Sequence, residues 1–211
     1  MPRLICLYGG TFDPVHYGHL KPLYELQQKL VADAVYILPA SIPPHRPAPQ
    51  ASCQQRVEML QLALREYPDF ILDRRELERS GPSWTVPTLQ SFRQQYPEDN
   101  LCLVMGSDAF ASLPTWYHWK EILQLAHIIV IERAGELACS KLDWATEYMV
   151  DDVAVLRDRK CSSVMPVSLK GYDISATDIR QRLNEGRDID GMLPDEVLDY
   201  IRRNGLYQND K

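Results

Sequence analysis

Cysteine is scarce and scattered in this chain. Cys6, Cys53, Cys102, Cys139 and Cys161 are five of 211 residues and form no C-x-x-C pair. An odd, dispersed set argues against a disulfide frame or a cysteine-bound zinc and fits reduced thiols. Basic charge is short as well. Lys and Arg number 23 against 29 Asp and Glu, for a net charge of −6. That balance removes the electrostatic footprint expected of a protein that binds nucleic acid or an anionic membrane. Any charge that holds an anion has to be local. No apolar run approaches the length of a membrane span. The N-terminal run, Leu4–Tyr8, is too short for a signal peptide and leads straight into polar sequence. The expectation is a cytoplasmic protein with neither membrane nor nucleic acid among its partners. Internal repeats and low-complexity tracts are also missing.

What is present is an ordinary globular composition, 45% apolar and 25% charged, in a length that suits one domain spanning 1–211. Short apolar runs rich in Val, Ile and Leu recur at Leu4–Tyr8, Ala34–Leu38, Phe70–Asp73, Leu101–Met105 and Ile128–Ile131. Continuous runs of this kind suit strands buried on both faces of a parallel sheet. Val164–Leu169 adds a sixth, and Pro166 inside it points to a sheet edge. Helix signals fall between the runs. Tyr17–Leu30 has helical character. Ser52 and Gln55 form a capping box ahead of Arg56–Glu66, Thr85 and Pro87 start a helix that stops before Pro97, and another is expected over Trp116–Ala126. The alternation predicts an α/β, Rossmann-like doubly wound parallel sheet of five or six strands with C-terminal helices. Residues 134–161 break the rhythm and read equally as a surface excursion or a lid.

The most informative string is Gly9-Gly10-Thr11-Phe12-Asp13-Pro14-Val15-His16-Tyr17-Gly18-His19-Leu20, between the first strand and the first helix. Paired glycines at a strand end let backbone and ligand approach closely. The spacing of His16 and His19 puts both imidazoles on one face at the start of the helix, where the helix terminus favours phosphate. A second string, Ile174-Ser175-Ala176-Thr177-Asp178-Ile179-Arg180, reads by itself as a capped helix, closed by Gly186. Beside the first string it offers another helix N-terminus, hydroxyls and a forked guanidinium. Gly106-Ser107-Asp108 follows the fourth strand, where a carboxylate can accept ribose hydroxyls. In a doubly wound sheet the first and fourth strands flank the crevice at the topological switch. Three further loops are candidates: Pro43-Pro44-His45-Arg46-Pro47, with local positive charge; Ser83-Trp84-Thr85, with exposed N–H groups; and Leu113-Pro114-Thr115-Trp116-Tyr117-His118-Trp119, whose Trp116 is placed to stack on a heterocycle.

The first two strings resemble the signatures of the HxGH nucleotidyltransferase superfamily. Together with L-P-T-W-Y-x-W, S-W-T and the C-terminal Gly205-Leu206-Tyr207, the resemblance extends over nearly the whole chain to the family of bacterial nicotinate mononucleotide adenylyltransferases. It implies adenylyl transfer from ATP to nicotinate mononucleotide, with Mg²⁺ held mainly by the ATP phosphates and no dedicated protein ligands. It assigns His16, His19 and Arg180 to catalysis. ATP would meet Gly9, Gly10, Thr11, Phe12, His16, His19, Gly106, Asp108, Ser175, Thr177 and Arg180. The acceptor would meet His45, Arg46, Thr85, Trp116 and Tyr117. Ala40 and Ser41 stand where relatives often carry asparagine. Nicotinamide mononucleotide as acceptor, dual specificity and a non-catalytic nucleotide sensor are the alternatives, and homo-oligomerisation stays open.

Overall fold

A computed structural model describes residues 2–42, 48–132 and 142–208. Six parallel strands form one sheet: β1 (Leu4–Gly10), β2 (Ala34–Pro39), β3 (Phe70–Leu72), β4 (Asn100–Gly106), β5 (His127–Glu132) and β6 (Val164–Ser168). Their order is β3-β2-β1-β4-β5-β6. The chain winds outward from β1 to β3, then crosses back to β4, so the switch point lies between β1 and β4 as the doubly wound reading requires. β6 is an edge strand, which is where Pro166, lacking an N–H, is tolerated.

The strands alternate their side chains between two cores. Leu4 and Cys6 join one cluster with Leu20, Leu23, Met59, Ile179 and Val197, whereas Ile5 and Leu7 join another with Leu89, Phe92, Phe110 and Ile122. Helix α1 (Tyr17–Leu30) lines the first face through buried Leu20, Leu23, Leu26 and Leu30, spaced to lie on one helical face. The same side carries α2 (Cys53–Ala63), α8 (Ala176–Asn184) and α9 (Asp195–Arg203). The opposite side carries α4 (Thr85–Gln95) and α6 (Trp119–Leu125), and a single turn, α3 (Arg75–Glu78), precedes α4. Cys6 and Cys102 face each other across β1 and β4 and are fully buried, behaving as core residues.

Some boundaries differ from the sequence expectation. The capping box of Ser52 and Gln55 is present, and because the cap immediately precedes the first helical residue, α2 begins at Cys53 and ends at Ala63, not at Glu66. The expected helix over Trp116–Ala126 is interrupted. A 3-10 turn covers Leu113–Thr115, His118 adopts a left-handed conformation (φ 51°), and α6 starts only at Trp119. Within 134–161, residues 134–141 lie outside the described residues. The remainder forms a 3-10 helix at Asp143–Tyr148 and a short α7 at Val153–Asp158. Trp144 packs on Phe110 and Trp119, Leu156 is fully buried, and Arg157 donates to Asp33 and to the Val31 carbonyl. Among the described residues, no helix is long and apolar enough to cross a membrane.

His127, at the start of β5, is fully buried. Its Nδ1 accepts from the Ser163 N–H (3.2 Å), so Nε2 carries the proton and donates to the Arg159 carbonyl (2.8 Å). Burial lowers its pKa below the ordinary histidine value, helped by the charges of Arg93 and Arg159. The unfolded chain therefore binds this proton more readily than the folded one. The stabilisation from neutral His127 is complete above about pH 6.5 and is lost as pH falls below it. Denaturant unfolding of wild type and His127→Gln at about pH 7.5 and pH 5.5 should show the variant losing less stability over that interval. Equal losses would remove His127 as the source.

Candidate active site

The histidine string leaves β1 at the switch point. A side chain on Gly9 or on Gly106, at the neighbouring end of β4, would meet nothing within 4 Å, so both strands end in open space. Gly10 is different: a methyl group there would lie 2.8 Å from the Phe12 ring, which folds beneath it with a left-handed backbone (φ 51°). Phe12 is buried and meets the edge of the His19 ring at 5.1 Å between centroids. His16 stands just before the helix, which begins at Tyr17 as expected. It is the N-cap of α1, with extended backbone (φ −153°, ψ 169°), and its carbonyl accepts from the His19 and Leu20 N–H groups. The two imidazoles nevertheless come together, stacked at 3.7 Å with 28° between their planes.

The segment leading into helix α8 meets the start of α1. Ser175 is the N-cap of α8, accepting from the Asp178 N–H at 3.1 Å, and Gly186 (φ 65°) follows its end. A methyl group on Gly18 would come 2.6 Å from the Ile174 carbonyl oxygen and 2.9 Å from the His16 ring. The absence of that methyl is what lets the two strings touch. Arg180 Nη1 donates to the Asp13 carbonyl at 2.7 Å, and Nη2 lies 3.4 Å from the Thr177 hydroxyl. Ser175 and Thr177 are exposed at the same end of the helix. The N-termini of α1 and α8 thus stand side by side, two sets of first-turn N–H groups and aligned dipoles suited to a polyanion.

Asp108 is exposed in the first turn of α5 (Ser107–Ala111), immediately after β4. A third grouping lies on the β2 side. The Ser41 N–H donates to Ser83 Oγ (2.8 Å) and the Ser83 N–H to the Ile42 carbonyl (3.0 Å), tying the end of β2 to the turn before α4. Trp84 is the N-cap of α4 without a side-chain cap, so the first-turn N–H groups from Thr85 onward are left for another acceptor. Trp84 also contacts half-exposed Tyr117, ring centroids 5.1 Å apart. Trp116 is partly buried against the cluster under α4 and α6. His45 and Arg46 lie outside the described residues.

Four residues take supporting roles that the sequence reading did not assign. Asp13 is 5% exposed, and its carboxylate accepts from the Gln50 N–H (2.8 Å), the Ala51 N–H (3.1 Å) and the Tyr207 hydroxyl (2.7 Å). Arg56 is fully buried and donates to the Thr11 carbonyl at 2.7 Å. Ser83 ties the β2 end as above. Asp13 stood in the quoted motif and Tyr207 in the C-terminal string, but only packing gives them partners.

Comparison with known proteins adds independent findings. Residues 7–182 match the cytidylyltransferase-like family. The "probable nicotinate-nucleotide adenylyltransferase" of Klebsiella pneumoniae (strain 342) is 45% identical over 98% of this chain and 98% of its own length. The protein of the same name from Legionella pneumophila (strain Corby) is 44% identical over 97% of this chain and 99% of its own. Among solved structures, Plasmodium falciparum nicotinic acid mononucleotide adenylyltransferase complexed with NaAD superposes with a TM-score of 0.75 at 20% identity, covering 97% of each chain, a likeness of fold. Because the match takes in both strings and the relatives align from end to end, the chain belongs to the cytidylyltransferase-like family, grouped there with the nicotinate-nucleotide adenylyltransferases.

Proposed function

We propose that this chain transfers the adenylyl group of ATP to nicotinate mononucleotide, giving nicotinate adenine dinucleotide and pyrophosphate, a step of NAD biosynthesis. The observation that carries the reading is the stacked His16–His19 pair, set between two helix N-termini at the switch point. The acceptor's phosphate has a second pKa of about 6, so near neutral pH it is largely dianionic and needs no general base. One of its oxygens forms the new bond to the α-phosphorus as the bond to the α,β-bridging oxygen breaks and pyrophosphate leaves. The obstacle is charge and alignment, which positioned donors lower. His16 and His19 donate to the α-phosphoryl and bridging oxygens as charge moves there. Ser175, Thr177 and Arg180 hold the departing phosphates. The backbone of Gly9, Gly10, Thr11 and Phe12 makes room for the nucleotide, and Asp108, beside Gly106, accepts the ribose hydroxyls.

Mg²⁺ would offset part of the triphosphate charge. Its ligands would come mainly from phosphate and water, because Mg²⁺ dehydrates reluctantly and binds through substrate phosphates more readily than in an all-protein cage. The acceptor's ring would lie near Trp116 and the Trp84–Tyr117 pair, with its carboxylate on the N–H groups at Thr85 and Tyr117. His45 and Arg46, outside the described residues, are acceptor contacts on the sequence resemblance alone. An amide in the same place would set NH₂ against N–H donors, which disfavours nicotinamide mononucleotide. Pyrophosphate release from ATP and Mg²⁺ should be fast with the acid acceptor and at least about 10²-fold slower with the amide. Equal release from both would refute the carboxylate site while keeping adenylyl transfer; release with neither would refute the function.

A further inference from the structure

The loop that seats the histidines is gripped at three points. Arg56, from α2, holds the Thr11 carbonyl; Arg180, from α8, holds the Asp13 carbonyl; and the Asp13 carboxylate is held by two backbone N–H groups and by Tyr207, 194 residues away in sequence. The aim of Tyr207 is built into the end of α9. Gly205 takes a left-handed conformation (φ 59°), its N–H donates to Arg202, and the Leu206 N–H donates to Ile201 at 3.0 Å, a Schellman closure that turns the chain back toward the loop. Tyr207 itself is left-handed (φ 61°) and 9% exposed. A tyrosine held in that conformation reflects a position that the surroundings impose. Burial, and then the Asp13 charge, push its phenol pKa far above the ordinary tyrosine value, so it stays a hydrogen-bond donor at any working pH.

We propose that Tyr207 is a positioning residue for the phosphate-binding histidines: its hydroxyl anchors Asp13, and through buried Pro14 and Val15 that anchor sets where His16 sits. The α2–α9 contact supports the arrangement from behind, with the Tyr200 hydroxyl donating to Glu58 at 2.5 Å. The turnover arm of the test rests on the adenylyl-transfer reading; the spectroscopic arm does not.

Tyr207→Phe removes the hydroxyl and keeps the ring. It should lower kcat about tenfold, as expected for losing one hydrogen bond to a charged group, with the KM for ATP changed less than about twofold and the fold retained. Asp13→Asn sets an NH₂ among three donors and should cost at least as much, and Tyr207→Phe should cost less on that background than alone, because the anchor is already weakened. Turnover of Tyr207→Phe within about twofold of wild type, with or without a lower melting temperature, would overturn the proposal and leave Tyr207 as packing. Long-range ¹H–¹⁵N spectra of the imidazoles give a second readout. The His16 and His19 ring signals should shift in Tyr207→Phe; unchanged signals would overturn the proposal. Should wild type release no pyrophosphate, the functional reading fails, and these spectra alone decide the role of Tyr207.

Discussion

His19→Ala is expected to lower kcat by ~10²–10³-fold, equivalent to ~3–4 kcal/mol of transition-state stabilisation, the scale of one preorganised donor. The residue sits in the first turn of α1 with its ring against His16 and the edge of Phe12, partly open to the crevice. The donor acts on charge that shifts toward the bridging oxygen only as the bond breaks. The loss should therefore fall on kcat more than on the KM for ATP. The hydrophobic core under α1 is built from Leu20, Leu23, Leu26 and Leu30 and does not include this ring, so thermal unfolding should stay close to wild type. Steady-state kinetics beside a melting curve is the check. Turnover near wild type would dismiss His19 as a donor to the reacting phosphate.

Gly18→Ala should cost nearly as much by a different route. Its methyl would stand 2.6 Å from a backbone oxygen, that of Ile174, and 2.9 Å from the His16 ring. The first is backbone and cannot move alone, and the second is an imidazole already stacked on His19. Either the segment before Ser175 withdraws from the head of α1 or His16 leaves its stack on His19. Displacing reacting groups by about 1 Å can cost about 10²-fold in rate, and overpacking of this kind destabilises by about 1–3 kcal/mol. We expect turnover down about 30–100-fold together with a lower melting temperature, in contrast to His19→Ala. Gly9→Ala, where the added methyl meets only open space, is the matched control for the fold. Wild-type stability in Gly18→Ala would mean that the two strings can separate without strain.

The fold was largely legible because its signals are local. The limits of α1 follow from its leucine spacing, and the edge position of β6 follows from a proline that cannot donate. The start of α6 was not legible, since it depends on His118 adopting a left-handed conformation that local sequence does not favour in a non-glycine residue. The site's reactive residues lie in two contiguous strings and could be read there. Its supports could not. Arg56 reads as one polar residue on an ordinary amphipathic helix, yet it is fully buried beneath Thr11. The partnership of Asp13 with Tyr207 joins opposite ends of the chain and leaves no periodic trace.

That joining bears on the order in which the loop is secured when the chain folds. β1 pairs with the nearby β2, whereas Arg180 meets Asp13 across 167 residues and Tyr207 meets it across 194. Contacts that close such long loops carry the larger entropic cost and form more slowly. The strand beneath the histidine loop is therefore easy to assemble, and the clasp that holds the loop in place is not.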